Sequence, residues 1–397
     1  MNNSNPLKIV MVAGEASGDL LGGDLISHLK DRSKDLEIYG VGGPKMQEQG
    51  VTGPYDVNDL SVIGIVEVIK RLPGLIRVFR YLTGLLREKK PNLLVTIDLP
   101  DFNFLLARQA KALGIPIIHY VSPQVWAWRS GRVDKIARLV DHLLVLFPFE
   151  AEIYAHTKMP VTFVGHPLVE KLAPWIKGRQ TGVGSRDVRN SLAIRDEEKM
   201  VVLLPGSRHS EVKRLLAIML ATQSKVIGKG NRVRYVLAQA ETISDETLNS
   251  LWPAESEVAG AEELRKSTLI RQGETYNLLM AADAAIVASG TATLETALLG
   301  TPMVVLYQVN QLTYEIGKRV IKVPFIALAN LVAGRKLVHE RIQAEANPTQ
   351  LAEDLDQLLN STKVIANIQD GYQEIREKLS HPTKTPADVI IDFLPSK

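Results

Sequence analysis

The chain has 397 residues, which is too long for one ordinary hydrophobic core and predicts two to three domains. A hydrophobic share of 45% with a charged share of 23% excludes extensive disorder, and a net charge of +3 argues against general nucleic-acid binding. The absence of cysteine excludes disulfides, thiolate metal sites and cysteine catalysis. We find no signal-peptide pattern and no apolar run of about 18 residues, so we expect a cytoplasmic protein without a spanning helix.

Four buried strands are predicted in the first part of the chain, each followed by a helical stretch. They cover residues 8–13, 93–97, 115–121 and 142–147. Apolar runs that are joined through helices indicate a parallel sheet covered on both faces. The pattern stops between about Gly165 and Lys199, where Gly, Pro, Ser and charged residues collect as they do in linkers.

A second series of buried strands follows, at residues 200–204, 233–238, 284–288 and 303–307. The fold class is therefore α/β, with two Rossmann-like, doubly wound domains in series. Ligands of such sheets bind at the carboxyl ends of the strands, and two facing domains would place the site in the cleft between them. We expect an amino-terminal domain at 1–170, a linker at 171–199, a second domain at 200–350, and charged helices at 351–397.

Three loops between a buried strand and a helix are suited to binding an anion. They are Gly14–Asp19, Leu204–Arg208 and Ser289–Glu295, and each combines glycine with a hydroxyl side chain. Free N–H groups at a helix start favour phosphate, and the guanidinium of Arg208 adds a fork of donors. The alternatives are a tight turn capped by Ser17 or Asp19, and a solvated arginine.

Asp98 ends a predicted strand and precedes Leu99, Pro100 and Asp101. A carboxylate at a strand end in a cleft is well placed to accept a proton from an attacking hydroxyl. We assign this chemistry to Asp98, and we expect Asp101 to cap the helix that follows. The alternative is that both are structural. Two further motifs stay open between pocket lining and packing or a turn: residues 119–128, with two tryptophans, and 165–167, with one histidine.

Residues 65–90 are both basic and amphipathic, with helical spacing of the apolar positions after a break at Pro73–Gly74. Such a helix can lie on an anionic membrane surface, or it can pack its apolar face on the sheet and solvate its basic face. No pattern of metal ligands is visible among the eight scattered histidines or the carboxylates. We therefore expect no metal and no other cofactor.

Taken in order, these motifs closely resemble the lipid-A-disaccharide synthase family, from about residue 8 to residue 345. One such motif would be weak evidence for a family, but the ordered set of motifs is highly specific for this one. The motifs are Ala13–Asp19, Gly40–Pro44, Gly64–Val68, Pro100–Asn103, Ser122–Trp128, Gly165–Pro167, Leu204–Arg208, Ala288–Glu295 and Asn330–Arg335.

The resemblance implies a GT-B type glycosyltransferase fold whose last helices cross back to the first domain. It implies transfer from UDP-2,3-diacylglucosamine to 2,3-diacylglucosamine 1-phosphate with inversion and without metal. Asp98 would be the base, and Arg208 would stabilise the leaving diphosphate. The other residues implied to bind substrate are Glu15, Ser17, Gly18, Gly206, Ser207, Ser289, Gly290, Thr291, Glu295, Asn330 and Gln343.

The resemblance also implies partners. These are acylated glucosamine substrates and the cytoplasmic face of the inner membrane, to which family members bind peripherally. No nucleic acid is expected, and since some members form dimers, a homodimer stays open. The residues that match the membrane patch of the family are Val66, Val68, Ile69, Leu72, Leu75 and Ile76.

Two departures and three rivals accompany this resemblance. Ala329 stands where the family usually has proline, and residues 336–341 deviate from the family pattern, although Gln343 is retained. The rivals are a UDP-N-acetylglucosamine 2-epimerase, the transferase of peptidoglycan lipid synthesis, and an inactive nucleotide-sugar or lipid-binding protein. A 2-epimerase would need no acyl groups and no membrane face, and an inactive protein would bind UDP without turnover.

Overall fold

In the computed structural model, the residues described are 6–33, 35–60, 65–125, 130–227, 232–320 and 323–394. The chain forms two compact units. The first unit contains the residues up to Pro167 together with those from His381 onward, and the second unit contains Leu168–Ser380. Each unit is described by itself below.

The first unit is built on a parallel sheet of six strands in the order β2-β1-β3-β4-β5-β6. Strands β1, β3, β4 and the inner part of β5 are almost fully buried, because helices cover both faces of the sheet. The strands are β1 (Leu7–Ala13), β2 (Leu36–Val41), β3 (Leu93–Ile97), β4 (Ile117–Tyr120), β5 (His142–Val145) and β6 (Val161–Phe163).

Helices of the first unit lie on both faces of this sheet. One face packs against α4, α5 and α6, and the other packs against α1 and the last helix, α19. The helices are α1 (Ala16–Arg32), α2 (Pro44–Glu48), α3 (Val57–Leu60), α4 (Ile65–Lys89), α5 (Pro100–Ala112), α6 (Val133–Leu139), α7 (Pro148–Ile153), α8 (Pro167–Thr181), which leads into the second unit, and α19 (Pro386–Phe393).

The second unit has its own parallel sheet, in the order β12-β11-β10-β7-β8-β9. Its central strands are buried, as the apolar runs of the sequence predict. The strands are β7 (Lys199–Leu204), β8 (Val233–Gln239), β9 (Leu269–Gln272), β10 (Ala284–Ala288), β11 (Met303–Tyr307) and β12 (Glu340–Ile342).

The helices of the second unit follow the same doubly wound pattern, with α17 packing on α10 and α18 packing on α16. They are α9 (Val183–Ser191), α10 (His209–Ile227), α11 (Asp245–Leu251), α12 (Ala261–Ser267), α13 (Thr275–Ala281), α14 (Thr291–Leu298), α15 (Gln311–Val320), α16 (Leu328–Ala333), α17 (Pro348–Asn360) and α18 (Thr362–Ser380).

The predicted fold class is confirmed, and all eight predicted strands are present. The four strands that the sequence pattern missed are β2, β6, β9 and β12, which are the four edge strands of the two sheets. Their residues are mostly only half-buried, so they lack the continuous apolar run of a central strand. Pattern reasoning therefore found the middle of each sheet and missed its edges.

The stretch predicted as a linker is instead helical, in α8 and α9, and its second-unit part packs on α13. Arg179 donates hydrogen bonds to the carbonyl oxygens of Leu279, Met280 and Ala282 at 3.1, 2.8 and 3.1 Å. The polar composition of this stretch therefore reflects helices at the surface of the second unit. At the other end of the second unit, residues 348–380 belong to that unit, and α19 belongs to the first unit.

Within the described ranges, no helix combines the length and the apolar character that crossing a bilayer requires.

Candidate active site

The order of the first sheet reverses direction between β1 and β3, and ligands of doubly wound sheets bind at such a reversal. Two carboxyl side chains follow these strands: Glu15 after β1, and Asp98 after β3. The structure therefore brings together two residues that are far apart in the sequence and that were both predicted to act on substrate. Ser17 is exposed in the first turn of α1, and Gly18 is buried beside it.

Asp98 has an unusual backbone conformation. Its φ is +51° and that of Leu99 is +42°, a left-handed region that non-glycine residues seldom adopt. The side chain of Asn103 supports this turn by donating hydrogen bonds to the carbonyl oxygens of Asp98 and Ile97 at 2.7 and 3.3 Å. Gly14 completes the turn, because a Cβ atom there would lie 2.3 Å from the Leu99 side chain. Strain that is held this firmly is common where a catalytic group must be aimed.

Burial raises the pKa of the Asp98 carboxyl, and a hydrogen bond from the Leu99 N–H to its Oδ1 at 2.9 Å partly opposes this effect. Desolvation and then the nearby charge of Asp98 raise the pKa of Glu15. Both carboxyls thus hold protons more tightly than an unperturbed carboxyl does. A raised pKa makes a carboxylate a stronger base, which suits proton abstraction from a hydroxyl.

Asp101 does not have the capping role predicted for it, and the alternative cap by Asp19 is also absent. The buried carboxylate of Asp19 accepts hydrogen bonds from the backbone N–H groups of Lys45 and Met46, both at 2.9 Å, and so caps α2 rather than its own helix. Helix α5 already begins at Pro100, which places Asp101 inside the first turn, where it pairs with Arg132 at 2.9 Å.

The second sheet reverses its order between β7 and β10. The two loops that follow these strands line one cavity of about 390 Å³. Three predicted elements therefore meet: the loop at 204–208, the loop at 289–291, and Glu295 on α14. The cavity is lined by Leu204, Gly206, Ser207, Arg208, Glu211, Ala238, Ala240, Thr275, Ala288, Ser289, Gly290, Thr291, Ala292 and Glu295.

The loop after β7 is shaped for close approach by a ligand. Gly206 has φ +110°, and a Cβ atom there would lie 2.7 Å from Oε2 of Glu211. Glycine is therefore required at this turn. The Arg208 side chain is 78% exposed at the start of α10 and lies 3.4 Å from Glu211, so its guanidinium can reach an anion at the helix terminus.

Glu295 is held by a residue that the sequence did not single out. The hydroxyl of Tyr276 donates a 2.7 Å hydrogen bond to Oε1 of Glu295, and Nζ of Lys171 lies 3.2 Å from the same hydroxyl. The Trp175 ring packs edge-on against the Tyr276 ring at 5.2 Å. Burial and Glu295 raise the pKa of Tyr276, which keeps its hydroxyl protonated as a donor. Lys171 and Trp175 lie on a helix in the predicted linker, so no local signal pointed to them.

This network borders a second cavity of about 430 Å³, which shares Ser207, Ala240, Thr275 and Glu295 with the first cavity. The two cavities therefore form one elongated site with Glu295 between them. The space suits a ligand with an anionic group at one end and hydroxyl groups near Glu295.

Asn330 and Gln343, both predicted to bind substrate, use their side chains within the protein. The fully buried Asn330 amide donates to Val338 O and Glu340 and accepts from the N–H groups of Leu337 and Val338, at 2.8–3.0 Å. Gln343 bonds both to the N–H and to the carbonyl of Val309, at 2.7 and 3.0 Å. Any effect of these two residues on a ligand therefore acts through the backbone that they hold.

Several predicted residues lie at the limit of what the structure describes. Trp126 and Trp128 are outside the described residues, as are the side chains of Val66, Val68 and Ile69.

His166 packs against the Phe147 ring, and burial lowers its pKa to about 4, so it is neutral near pH 7. Among the described residues, no group of three or more His, Asp and Glu side chains could hold a metal ion.

The remaining membrane-patch residues divide into two kinds. Leu72 and Ile76 are 49% and 41% exposed on α4, whereas Leu75 is partly buried against the core of the first unit. Leu75 therefore belongs to the packed side of the helix, and Leu72 and Ile76 belong to its outer side.

Solved structures with the same architecture have other activities. A UDP-GlcNAc 2-epimerase from Neisseria meningitidis, bound to UDP-GlcNAc, matches with a TM-score of 0.60 and 12% identity, over 97% of this chain and 99% of that chain. The MurG structure from Acinetobacter baumannii matches with a TM-score of 0.54 and 13% identity, over 98% and 99%. At these identities the likeness shows the fold alone, which is the GT-B fold.

Sequence relatives are more specific. A family model for lipid-A-disaccharide synthetase matches residues 9–391. The lipid-A-disaccharide synthase of Syntrophus aciditrophicus is 40% identical over 379 residues, which cover 95% of each chain. That of Pseudomonas aeruginosa is 42% identical over 369 residues, which cover 93% of this chain and 91% of the relative. Because these matches span almost the whole chain and both units, the chain belongs to the lipid-A-disaccharide synthase family of glycosyltransferases.

Proposed function

We propose that the chain transfers a diacylglucosaminyl group from UDP-2,3-diacylglucosamine to the 6-hydroxyl of 2,3-diacylglucosamine 1-phosphate. The acceptor oxygen bonds to the anomeric carbon of the donor while the bond from that carbon to the diphosphate breaks. The hydroxyl proton passes to a base, and UDP leaves with the electron pair. The products are the β-1,6-linked disaccharide 1-phosphate and UDP. Because the chain is a member of this family, one observation carries the proposal: Asp98 is half-buried in a strained turn at the carboxyl end of β3.

Asp98 is the general base in this scheme. Its raised pKa increases its affinity for the hydroxyl proton, and the turn held by Asn103 and Gly14 fixes where its carboxylate points. Attack from the face opposite the leaving group inverts the anomeric carbon, so one base is sufficient and no covalent intermediate is needed. Glu15, Ser17 and Gly18 border the acceptor beside this base.

The cavity of the second unit takes the nucleotide in this scheme. Arg208 and the N–H groups at the start of α10 stabilise the negative charge that grows on the departing diphosphate. The loop at Ser289–Thr291 supplies further donors at the start of α14. Glu295, oriented by Tyr276, accepts hydrogen bonds from ribose hydroxyls. No metal has a part in this scheme.

The membrane contact follows from the acylated substrates. We propose that the protein binds peripherally to the cytoplasmic face of the inner membrane, where such substrates partition. The exposed Leu72 and Ile76, between the basic residues of α4, support this contact.

The test is an assay in detergent micelles with both substrates and a chelator. We expect disaccharide 1-phosphate and UDP in equal amounts, and only when both substrates are present. UDP release without disaccharide would show hydrolysis or another acceptor, and UDP binding without any turnover would show an inactive binding protein.

Two variants assign the roles within this assay. Asp98→Asn should retain substrate binding and lower turnover by a factor on the order of 100 or more. Arg208→Ala should weaken UDP binding, whereas Arg186→Ala, which removes another exposed arginine of the second unit, should not. Near-normal turnover of the first variant, or unchanged UDP affinity of the second, would remove the respective assignment.

A further inference from the structure

Helices α4, α5 and α6 form one layer on the first sheet, and the outer side of this layer exposes large apolar side chains. The Phe79 ring of α4 packs edge-on against the Phe102 ring of α5 at 6.1 Å, which joins the two helices. Leu72, Ile76 and Leu105 are 49%, 41% and 49% exposed on this layer. Three of the few large apolar side chains exposed in the described part of the chain therefore lie on two adjoining helices.

The same layer is strongly basic. Residues 71–80, 101–108 and 132–139 contain seven basic and two acidic side chains. Their net charge of +5 exceeds the +3 of the whole chain, so the rest of the chain carries −2. Positive charge is thus concentrated on one side of the first unit, although the overall charge is small.

A groove of about 500 Å³ runs between α5 and α6 within this layer. Phe104, Ile136 and Leu139 provide apolar lining, and four basic side chains surround them. Arg132 is paired with Asp101, whereas Arg108, Lys135 and Arg138 have no acidic partner among the described residues. We call this cavity the α5/α6 groove, and its lining residues are Pro100, Asp101, Phe104, Leu105, Arg108, Arg132, Lys135, Ile136, Arg138 and Leu139.

We propose that the α5/α6 groove binds the phosphate-bearing headgroup of an anionic membrane lipid. None of its lining residues is a residue that we assign to the candidate active site or to the predicted patch on α4. It rests on the peripheral membrane contact of the proposed function. Three unpaired cations around an apolar floor match a phosphate joined to an acyl-bearing glycerol.

The neighbouring apolar side chains decide between a lipid and other anions. Free phosphate would gain nothing from the exposed Leu105, whereas a lipid lets this side chain enter the interface. A nucleic acid would favour aromatic side chains for stacking, and the exposed large apolar residues of this layer are aliphatic. With two contacts, on α4 and on α5/α6, the protein would rest on the membrane in one fixed orientation.

The experiment measures vesicle binding of the full chain without substrate. Vesicles of phosphatidylcholine alone are compared with vesicles that also contain phosphatidylglycerol. In the groove variant, Arg108, Lys135 and Arg138 are replaced by Gln. The control replaces Lys177, Arg186 and Lys225 by Gln, which are three exposed cations of the second unit.

We expect the groove variant to lose affinity for anionic vesicles by roughly 10- to 100-fold, and the control to stay within about twofold of the parent chain. Equal losses in the two variants would reduce the effect to net charge and overturn the proposal. So would unchanged binding of the groove variant, or release of the parent chain from vesicles by inorganic phosphate at matched ionic strength. RNA binding that the groove variant loses, without vesicle binding by the parent chain, would also overturn it.

A second pair of variants keeps the charge constant. Leu105→Ser should weaken vesicle binding, whereas Leu113→Ser should not, although Leu113 is 43% exposed at the end of the same helix. Turnover in detergent micelles is measured in parallel. Loss of vesicle binding with intact micellar turnover supports the groove, intact vesicle binding with intact turnover overturns it, and absent turnover in the parent chain counts against the proposed function alone.

Discussion

The side-chain amide of Asn103 donates a 2.7 Å hydrogen bond to the backbone carbonyl oxygen of Asp98, the proposed base. Asn103 is fully buried and also reaches the carbonyl of Ile97. One amide group therefore holds the end of β3, the left-handed turn and the start of α5 together.

Replacing Asn103 with alanine should misplace the Asp98 carboxylate. Two buried carbonyl groups lose a donor, so the left-handed turn loses support. We expect turnover to fall by about 10- to 100-fold while KM changes little, because the aim of the base is altered. Thr83→Ala is the matched control: it removes another buried hydrogen bond to backbone in the first unit, at 2.8 Å. If Asn103→Ala and Thr83→Ala lost similar stability and had equal turnover, Asn103 would have a structural role only.

The acid limb of the pH–rate profile should lie above the pH expected for an exposed aspartate. Burial raises the pKa of Asp98, and the base must be ionised to act, so activity is lost as the pH falls through this raised pKa. The charge of Asp98 also raises the pKa of Glu15, so Asp98→Asn should let the Glu15 carboxyl titrate at lower pH, which NMR titration measures. An unchanged Glu15 titration in Asp98→Asn would disprove this coupling of the two carboxyls.

The same raised pKa makes a prediction about stability. A carboxyl whose pKa is higher in the folded state than in the unfolded state stabilises the fold below the unfolded pKa, and this contribution is lost as the pH rises through the folded pKa. At neutral pH the ionised Asp98 is therefore a cost, and Asp98→Asn should unfold at a higher temperature than the parent chain. Below about pH 3 the two should unfold alike, and the comparison is made by thermal unfolding at both pH values.

Tyr276→Phe should weaken UDP binding. The change removes only the hydroxyl that orients Glu295 at 2.7 Å and keeps the ring that packs on Trp175. One lost hydrogen bond to a carboxylate is worth about 1.5–3 kcal/mol, so the affinity loss should not exceed roughly 10- to 150-fold. Tyr235→Phe is the control, since the Tyr235 hydroxyl is buried without a hydrogen-bond partner among the described residues. Calorimetric titration with UDP measures both.

Leu72→Ser with Ile76→Ser should release the protein from anionic vesicles and leave its melting temperature nearly unchanged, because both side chains are largely exposed. Leu75→Ser should instead lower the melting temperature, since Leu75 packs on the core. If Leu75→Ser alone abolished vesicle binding at full stability, this division of the helix would be wrong.

Much of this organisation could be predicted from the residues themselves. Central strands could be predicted from their continuous apolar runs. The residues that follow them, such as Asp98 and Arg208, could then be located, because the carboxyl ends of parallel strands lie at the same edge of a sheet. Edge strands could not, since half of each such strand faces solvent. The helical character of residues 167–191 was hidden by glycines such as Gly178 and Gly184, whose Cα atoms leave room for Met280.

Residues that act through others were the hardest to predict. Asn103 and Tyr276 carry no signature of their own, because their role depends on contacts across 5 and 19 residues of chain. Asn330 shows the opposite case: the family motif indicated a ligand contact, yet the folded chain spends all of its hydrogen bonds on residues 337–340. The Asn330 side chain holds the loop at residues 337–340. The neighbouring Ala329, which departs from the family pattern, has a fully buried side chain, so this departure affects packing.

The first unit closes with α19, whose Ala387, Val389 and Ile390 complete the same core as Leu25 and Ile26 of α1. This packing determines the order in which the two units can be completed during synthesis. The second unit is one continuous stretch of chain, whereas the face of the first sheet that α1 and α19 share is covered completely only when residues 386–394 have been made. Until then, Leu25 and Ile26 lack part of the packing that they have in the finished fold, so the first unit is completed only after every residue of the second unit has been made.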